Sequence, residues 1–122
     1  MQLYYSMKER FKDILDLEDV QGVLVLNFDG MVLFSEFLSR PPEKLEAINW
    51  ILFIRTLSGV QEAEFAYENS RCYMRRVKTG YVLVIMGKIA IIEMVRLHCD
   101  ILLPTFEQQK KKPKGLGRFF KF

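Results

Sequence analysis

Two short runs, Val23-Leu24-Val25-Leu26 and Tyr81-Val82-Leu83-Val84-Ile85-Met86, are apolar without alternation. Side chains of an extended segment point to opposite faces in turn, so a strand with one wet face alternates apolar and polar residues. An unbroken apolar run of this length belongs to a strand covered on both sides. Two such strands require a sheet with helices on each face, and they require its interior positions.

The remaining extended segments then fall outside them. Residues 31–37 follow the first run through Phe28-Asp29-Gly30, where Asp-Gly between apolar runs predicts a tight type I′ hairpin with positive φ at both central residues. Glu62-Ala63-Glu64-Phe65-Ala66-Tyr67-Glu68 alternates with period two. It leads into a strand over residues 71–77. A two-residue turn at Asn69-Ser70 pairs Glu68 with Arg71, Tyr67 with Cys72, Phe65 with Met74 and Glu64 with Arg75. Thr79-Gly80 then turns into the second apolar run, so residues 62–86 form a three-strand meander.

Helices account for the rest. Tyr4, Met7, Phe11, Ile14 and Leu15 recur at helical spacing among charged residues and predict an amphipathic first helix. Pro41-Pro42-Glu43 opens a crossover helix that ends at Ser58-Gly59. Its apolar residues occupy two faces: Leu45, Ile48 and Leu52 on one, Trp50, Phe53, Ile54 and Leu57 on nearly the opposite one. Only one face can lie on the chain's own sheet, so the other is read as a surface for a partner or a twin helix. A last helix spans residues 89–103, with Glu93, Arg96 and Asp100 as its solvated strip and His98 as a core histidine. The expected fold is α+β: a single five-stranded antiparallel sheet of order 2-1-5-4-3 with helices on both faces.

Length and composition agree with one domain. The chain has 122 residues, half of them hydrophobic and 13% aromatic, ample for a packed core. Residues 1–103 read as the domain and residues 104–122 as a basic tail. Six basic residues against Glu107 give that tail +5, which leaves −2 of the net +3 for the body. The domain itself is therefore not read as a nucleic-acid binder. The first thirty residues do not read as a signal peptide, and the apolar stretches fall far short of the roughly 20 residues of a membrane span. Cys72 and Cys99 have no metal-ligand spacing and read as buried free thiols of a cytoplasmic protein.

No phosphate-binding glycine loop, no nucleophile–base pair and no metal-spaced cluster is present in the sequence, which has a single histidine. The expectation is a binding protein, not an enzyme, with no cofactor and no small-molecule substrate.

Helix, hairpin, helix, three-strand meander, helix in about 100 residues, with Gly22-Val23-Leu24-Val25-Leu26-Asn27-Phe28-Asp29-Gly30 close to a GxxV…DG signature, resembles the roadblock (dynein light chain) family, although longin and profilin-like proteins share the layout. The family includes bacterial members that partner small Ras-like GTPases. The resemblance implies a homodimer joined through the crossover helix and the edge strand after it, whose composite surface docks small Ras-like GTPases or motor subunits, as a scaffold or a GTPase-activating protein. Carried onto this sequence, the interface residues are Leu45, Ile48, Trp50, Phe53, Ile54, Leu57, Glu62, Glu64, Phe65, Ala66 and Glu68. An arginine finger from Arg55, Arg71, Arg75 or Arg76 is conceivable, with stabilisation of the partner's active loops preferred as the mechanism.

The tail supplies Lys110, Lys111, Lys112, Lys114, Arg118, Phe119, Phe120 and Phe122. Three readings stand for it: a solubilising tail, a peptide that docks on a partner or on its own dimer, or a contact with anionic membrane or nucleic acid. The last makes the protein a peripheral adaptor at a membrane, the alternative to the GTPase regulator.

Overall fold

The structure, a computed structural model, describes residues 7–38, 48–67 and 69–111. Residues 7–10 are helical and lead into α1 (Lys12–Leu15). Then come β1 (Val20–Asn27), β2 (Val32–Phe37), α2 (Trp50–Thr56), β3 (Glu62–Tyr67), β4 (Ser70–Val77), β5 (Gly80–Met86) and α3 (Ile92–Lys111). The five strands form one antiparallel sheet of order β2-β1-β5-β4-β3. The two unbroken apolar runs lie in β1 and β5, at interior positions, and β2 and β3 are the edges, as their patterns require.

The alternation of side chains along β1 explains the layering. Val23 and Val25 point into one core with Phe34, Tyr73, Val82, Val84 and Met86, closed by Met7, Phe11, Ile14 and Leu15 and by Val95, Cys99 and Leu103 of α3. Phe11 stacks on Phe34 with ring centroids 5.6 Å apart. Leu24 and Leu26 point into the opposite core with Cys72, Met74, Tyr81, Leu83 and Ile85, closed by α2. Each fully buried aliphatic side chain contributes about 1.5–3 kcal/mol, so β1 and β5 stabilise both layers at once.

Four local expectations are corrected. At the first hairpin only Gly30 has positive φ, +88°, so the turn is not type I′. Asn27 holds it instead: its carbonyl accepts from the Gly30 amide at 3.1 Å, and its side chain accepts from the amides of Asp29 and Met31 at 2.9 and 3.0 Å. This is a longer loop with glycine in the left-handed position. In the second hairpin the register is displaced by two residues: Phe65 opposes Cys72, Glu64 opposes Tyr73 and Arg71 opposes Ala66, with the ladder ending at Tyr67 and Ser70. An even displacement leaves every side chain on its predicted face, which is why the pattern alone did not separate the two registers.

Gly80 was expected in a turn but pairs with Asn27 inside the sheet, where a Cβ would stand 1.8 Å from the Leu26 carbonyl oxygen. Close approach of two backbones, not a turn conformation, requires glycine there. Finally, the last helix does not stop at residue 103. It continues through Pro104 to Lys111, into the segment assigned to the tail. Proline inside a helix costs about 3 kcal/mol, and Glu107-Gln108-Gln109-Lys110-Lys111 are strong helix formers that favour continuation.

Candidate partner-binding surface

α2 is a short helix whose first turn is closed by Asn49, the side chain of which accepts from the Leu52 amide at 3.2 Å. Leu57, Ser58 and Gly59 end it, Gly59 at φ +85°. Its inner face is aromatic. Trp50 packs edge-on to Phe53 at 5.2 Å, and Phe53 to Phe65 of β3 at 5.4 Å. Ile54 is buried at 7% exposure, and Ile48, Trp50, Phe53 and Leu57 lie partly buried against the same core.

The crossover helix expected from Pro41 is corrected where it is described: Asn49 is extended and the helix begins only at Trp50, so Ile48 precedes it and the expected pairing of Ile48 with Leu52 on one face does not hold. Trp50, Phe53, Ile54 and Leu57 hold the helix on its own sheet. Ile48 joins them rather than lining up with Leu52. Leu45 lies outside the described residues. The solvent side carries Leu52 at 58% and Ile51 at 53% exposure, with exposed Arg55 and Thr56 beside them. Ile51 also meets the β1–β2 hairpin, since a Cβ on Gly30 would come within 2.8 Å of its Cγ1. Ile51 was missed as a surface residue because a helical wheel gives relative directions without saying which one the sheet occupies.

Next to α2, β3 is an open edge with Ala66 exposed. Glu62 and Glu64 point to the α3 side of the sheet and are held there by the chain itself. Glu62 accepts from Arg96 Nε at 2.6 Å and from the Tyr73 hydroxyl at 2.8 Å, and Glu64 pairs with Arg71 at 3.5 Å. The Arg96 hydrogen bond, followed by that of Tyr73, holds the Glu62 carboxyl below its ordinary value. The Tyr73 ring is buried and flanked by the Arg75 and Arg96 guanidiniums at 5.8 and 5.9 Å. Its hydroxyl also accepts from Arg75 Nε at 3.0 Å, and burial pushes it up to about 12. Arg75 reaches on to Asp100 of α3. The Arg96–Asp100 strip, expected to be merely solvated, thus ties α3 to the sheet edge. Glu68 lies outside the described residues.

Of the four arginines considered as a finger, Arg71 bonds the Gly87 and Ala90 carbonyls, Arg75 is spent on Tyr73 and Asp100, and Arg76 lies 4.7 Å over the Phe28 ring. Arg55 is the one on the outer face of α2. His98 is not a core residue: it is partly exposed and its Nδ1 lies 2.9 Å from the Met94 carbonyl. Cys72 and Cys99 are buried free thiols, both pushed up by burial, Cys99 to about 11. Such thiols are poor nucleophiles and ligands. Among the described residues no three His, Cys, Asp or Glu side chains cluster as metal ligands, and no helix is long and apolar enough to cross a membrane. Of the tail residues singled out, Lys110 and Lys111 fall at the end of α3; Lys112, Lys114, Arg118, Phe119, Phe120 and Phe122 lie outside the described residues.

Sheet order and layering together define a fold of the roadblock and longin type. The fold is shared with solved structures, among them these three. The gliding protein MglB of Thermus thermophilus is 16% identical at a TM-score of 0.65, over 81% of this chain and 84% of that one. An MglB with tetrameric arrangement is 18% identical at 0.64, over 82% and 84%. A Roadblock/LC7 domain from Streptomyces avermitilis is 12% identical at 0.66, over 89% and 98%. No family model and no curated protein matches the sequence.

Proposed function

We propose that this chain is a non-catalytic homodimeric scaffold or regulator that binds a small Ras-like GTPase through α2 and the adjoining β3 surface. The observation that carries the reading is the exposed pair Ile51 and Leu52 beside β3, a sheet edge that no other strand covers among the described residues. A second copy paired along β3 would extend the sheet and bring two α2 helices together, covering apolar surface and satisfying edge amides in one step. The intrachain partners of Glu62 and Glu64 favour this, because two edges of bare carboxylates would repel whereas neutralised ones do not. The tetrameric arrangement of an MglB supports self-association of this fold.

On this reading the regulator acts by preferring one conformation of the GTPase switch loops, a population shift that needs no reacting group of its own. The exposed Arg55 on the outer face of α2 would then touch the bound protein.

The test is a pull-down from source cells with the tagged full-length chain, in GDP and in a non-hydrolysable GTP analogue, beside a Leu52→Asp variant. A Ras-like GTPase retained in one nucleotide state by the native chain and lost from the variant supports the proposal. Recovery of no GTPase in either state removes it.

A further inference from the structure

The sheet face opposite α2 carries a second apolar surface that the proposed dimer leaves uncovered. On α3, Val95, Cys99 and Leu103 face the core, while Met94, Leu97 and Ile101 form a stripe at i, i+3 and i+7 on the solvent side, Leu97 at 49% and Ile101 at 65% exposure. Ile89 and Ile91, also exposed, extend the stripe ahead of the helix. At that end it opens into a cleft of about 220 Å³ lined by Leu17, Glu18, Ile91, Met94 and Val95. Glu18 is exposed at the cleft, and Glu93 is exposed one residue before Met94. An apolar slot with carboxylates at its rim fits an aromatic side chain flanked by basic ones.

The chain carries such a segment. Residues 112–122, Lys-Pro-Lys-Gly-Leu-Gly-Arg-Phe-Phe-Lys-Phe, contain four basic residues, three phenylalanines and no acid. They start where α3 ends. Met94 lies 17 residues before Lys111, which at 1.5 Å per residue is about 26 Å. Eleven residues span at most about 36 Å. A segment turning back at Lys111 therefore passes Ile101 and Leu97 and brings Phe120 to Phe122 level with Met94 and the cleft. Pro113, Gly115 and Gly117 suit a reversal followed by close backbone approach. A tether this short also gives the segment an effective concentration of order millimolar at its own stripe, ahead of a second copy in dilute solution.

We propose that residues 112–122 fold back along α3 of the same chain, seating their aromatic side chains on the stripe of Met94, Leu97 and Ile101 and in the cleft beside Leu17, with Glu18 and Glu93 facing their basic residues. The docked segment covers apolar surface that would otherwise meet water. It stands apart from the α2 surface, so either proposal can fail without the other.

Methyl NMR on the full chain tests it, with 13C-labelled methionines and a full-length variant carrying Phe119→Ser, Phe120→Ser and Phe122→Ser. The expected result is that the Met94 resonance loses its ring-current shift in the variant while buried Met74 and Met86 keep theirs, which shows that the variant is folded. A spin label at Lys121→Cys, with the native thiols buried, should broaden Met94 within the same molecule, and Glu18→Lys with Glu93→Lys should weaken that broadening. An unchanged Met94 resonance in the triple variant overturns the proposal, including the case where the native tail instead binds phosphatidylserine vesicles. Broadening seen only between labelled and unlabelled copies in a mixture overturns docking within one chain.

Discussion

Individual side chains at the β3 edge set a pH response. Glu62 is held below its ordinary value of 4.5 by Arg96 and Tyr73. A carboxylate depressed in the folded state contributes stability above its unfolded value and loses it as pH falls through the folded one. Glu62→Gln should therefore flatten the decline of stability on acidification below about pH 4.5, read by urea titrations between pH 2.5 and 6. The side chain is 39% exposed, so solvent screening limits the cost at neutral pH to about 1 kcal/mol or less. An equal acid decline in both proteins would show that the Glu62 contacts do not differ in energy from contacts with water. Backbone crowding makes a second residue-scale contrast. Gly59→Ala meets no atom within 4 Å and suffers only its φ of +85°, about 1 kcal/mol. Gly80→Ala must push the Leu26 carbonyl aside and should cost several times more, visible as a far lower denaturation midpoint.

Elements divide their residues between holding and presenting. In α2 the buried Ile54 belongs to the core, so Ile54→Ala should cost about 2–5 kcal/mol in thermal or chemical unfolding. It is therefore a poor probe of partner binding, contrary to its sequence assignment to the interface. Leu52→Ala, on the solvent side, should change the unfolding energy of the isolated chain by about 0.5 kcal/mol or less. A loss above about 2 kcal/mol at Leu52, measured at concentrations too low for association, would mean that the helix faces are reversed. The entry to α3 depends on Asp19, which has φ +64° and accepts the Ile89 amide on its carboxylate at 3.0 Å and the Gly87 amide on its carbonyl at 2.9 Å. A left-handed non-glycine residue persists where its side chain is used in this way.

At the scale of the molecule, exposed apolar side chains lie on both sides of the sheet among the described residues, at α2 and at α3. If the proposed dimer forms through α2, replacing both Ile51 and Leu52 with Asp should lower the sedimentation coefficient of the native chain to that of a monomer, with unchanged circular dichroism. Dimers that persist in that variant would move the self-association surface away from α2. Added salt should leave such an apolar dimer largely intact, whereas long-range attraction between residues 1–111 at −1 and the segment 112–122 at +4 falls off as the Debye length shortens to about 3 Å at 1 M.

The sequence by itself determined the layers and the strand order. Unbroken apolar runs in β1 and β5 have only one stable environment, between two helical layers, and alternation in β3 assigns each side chain to a face. Periodicity is local, and it is set by the geometry of a single element. Tertiary structure decided what periodicity leaves degenerate. It shifted the β3–β4 register by two residues, turned Trp50 and Ile54 inward and Leu52 outward, drew Arg96 and Asp100 into contacts with the sheet edge, and placed Gly80 beneath the Leu26 carbonyl. Each of these depends on which neighbour occupies the adjoining space, and only the assembled chain supplies that neighbour.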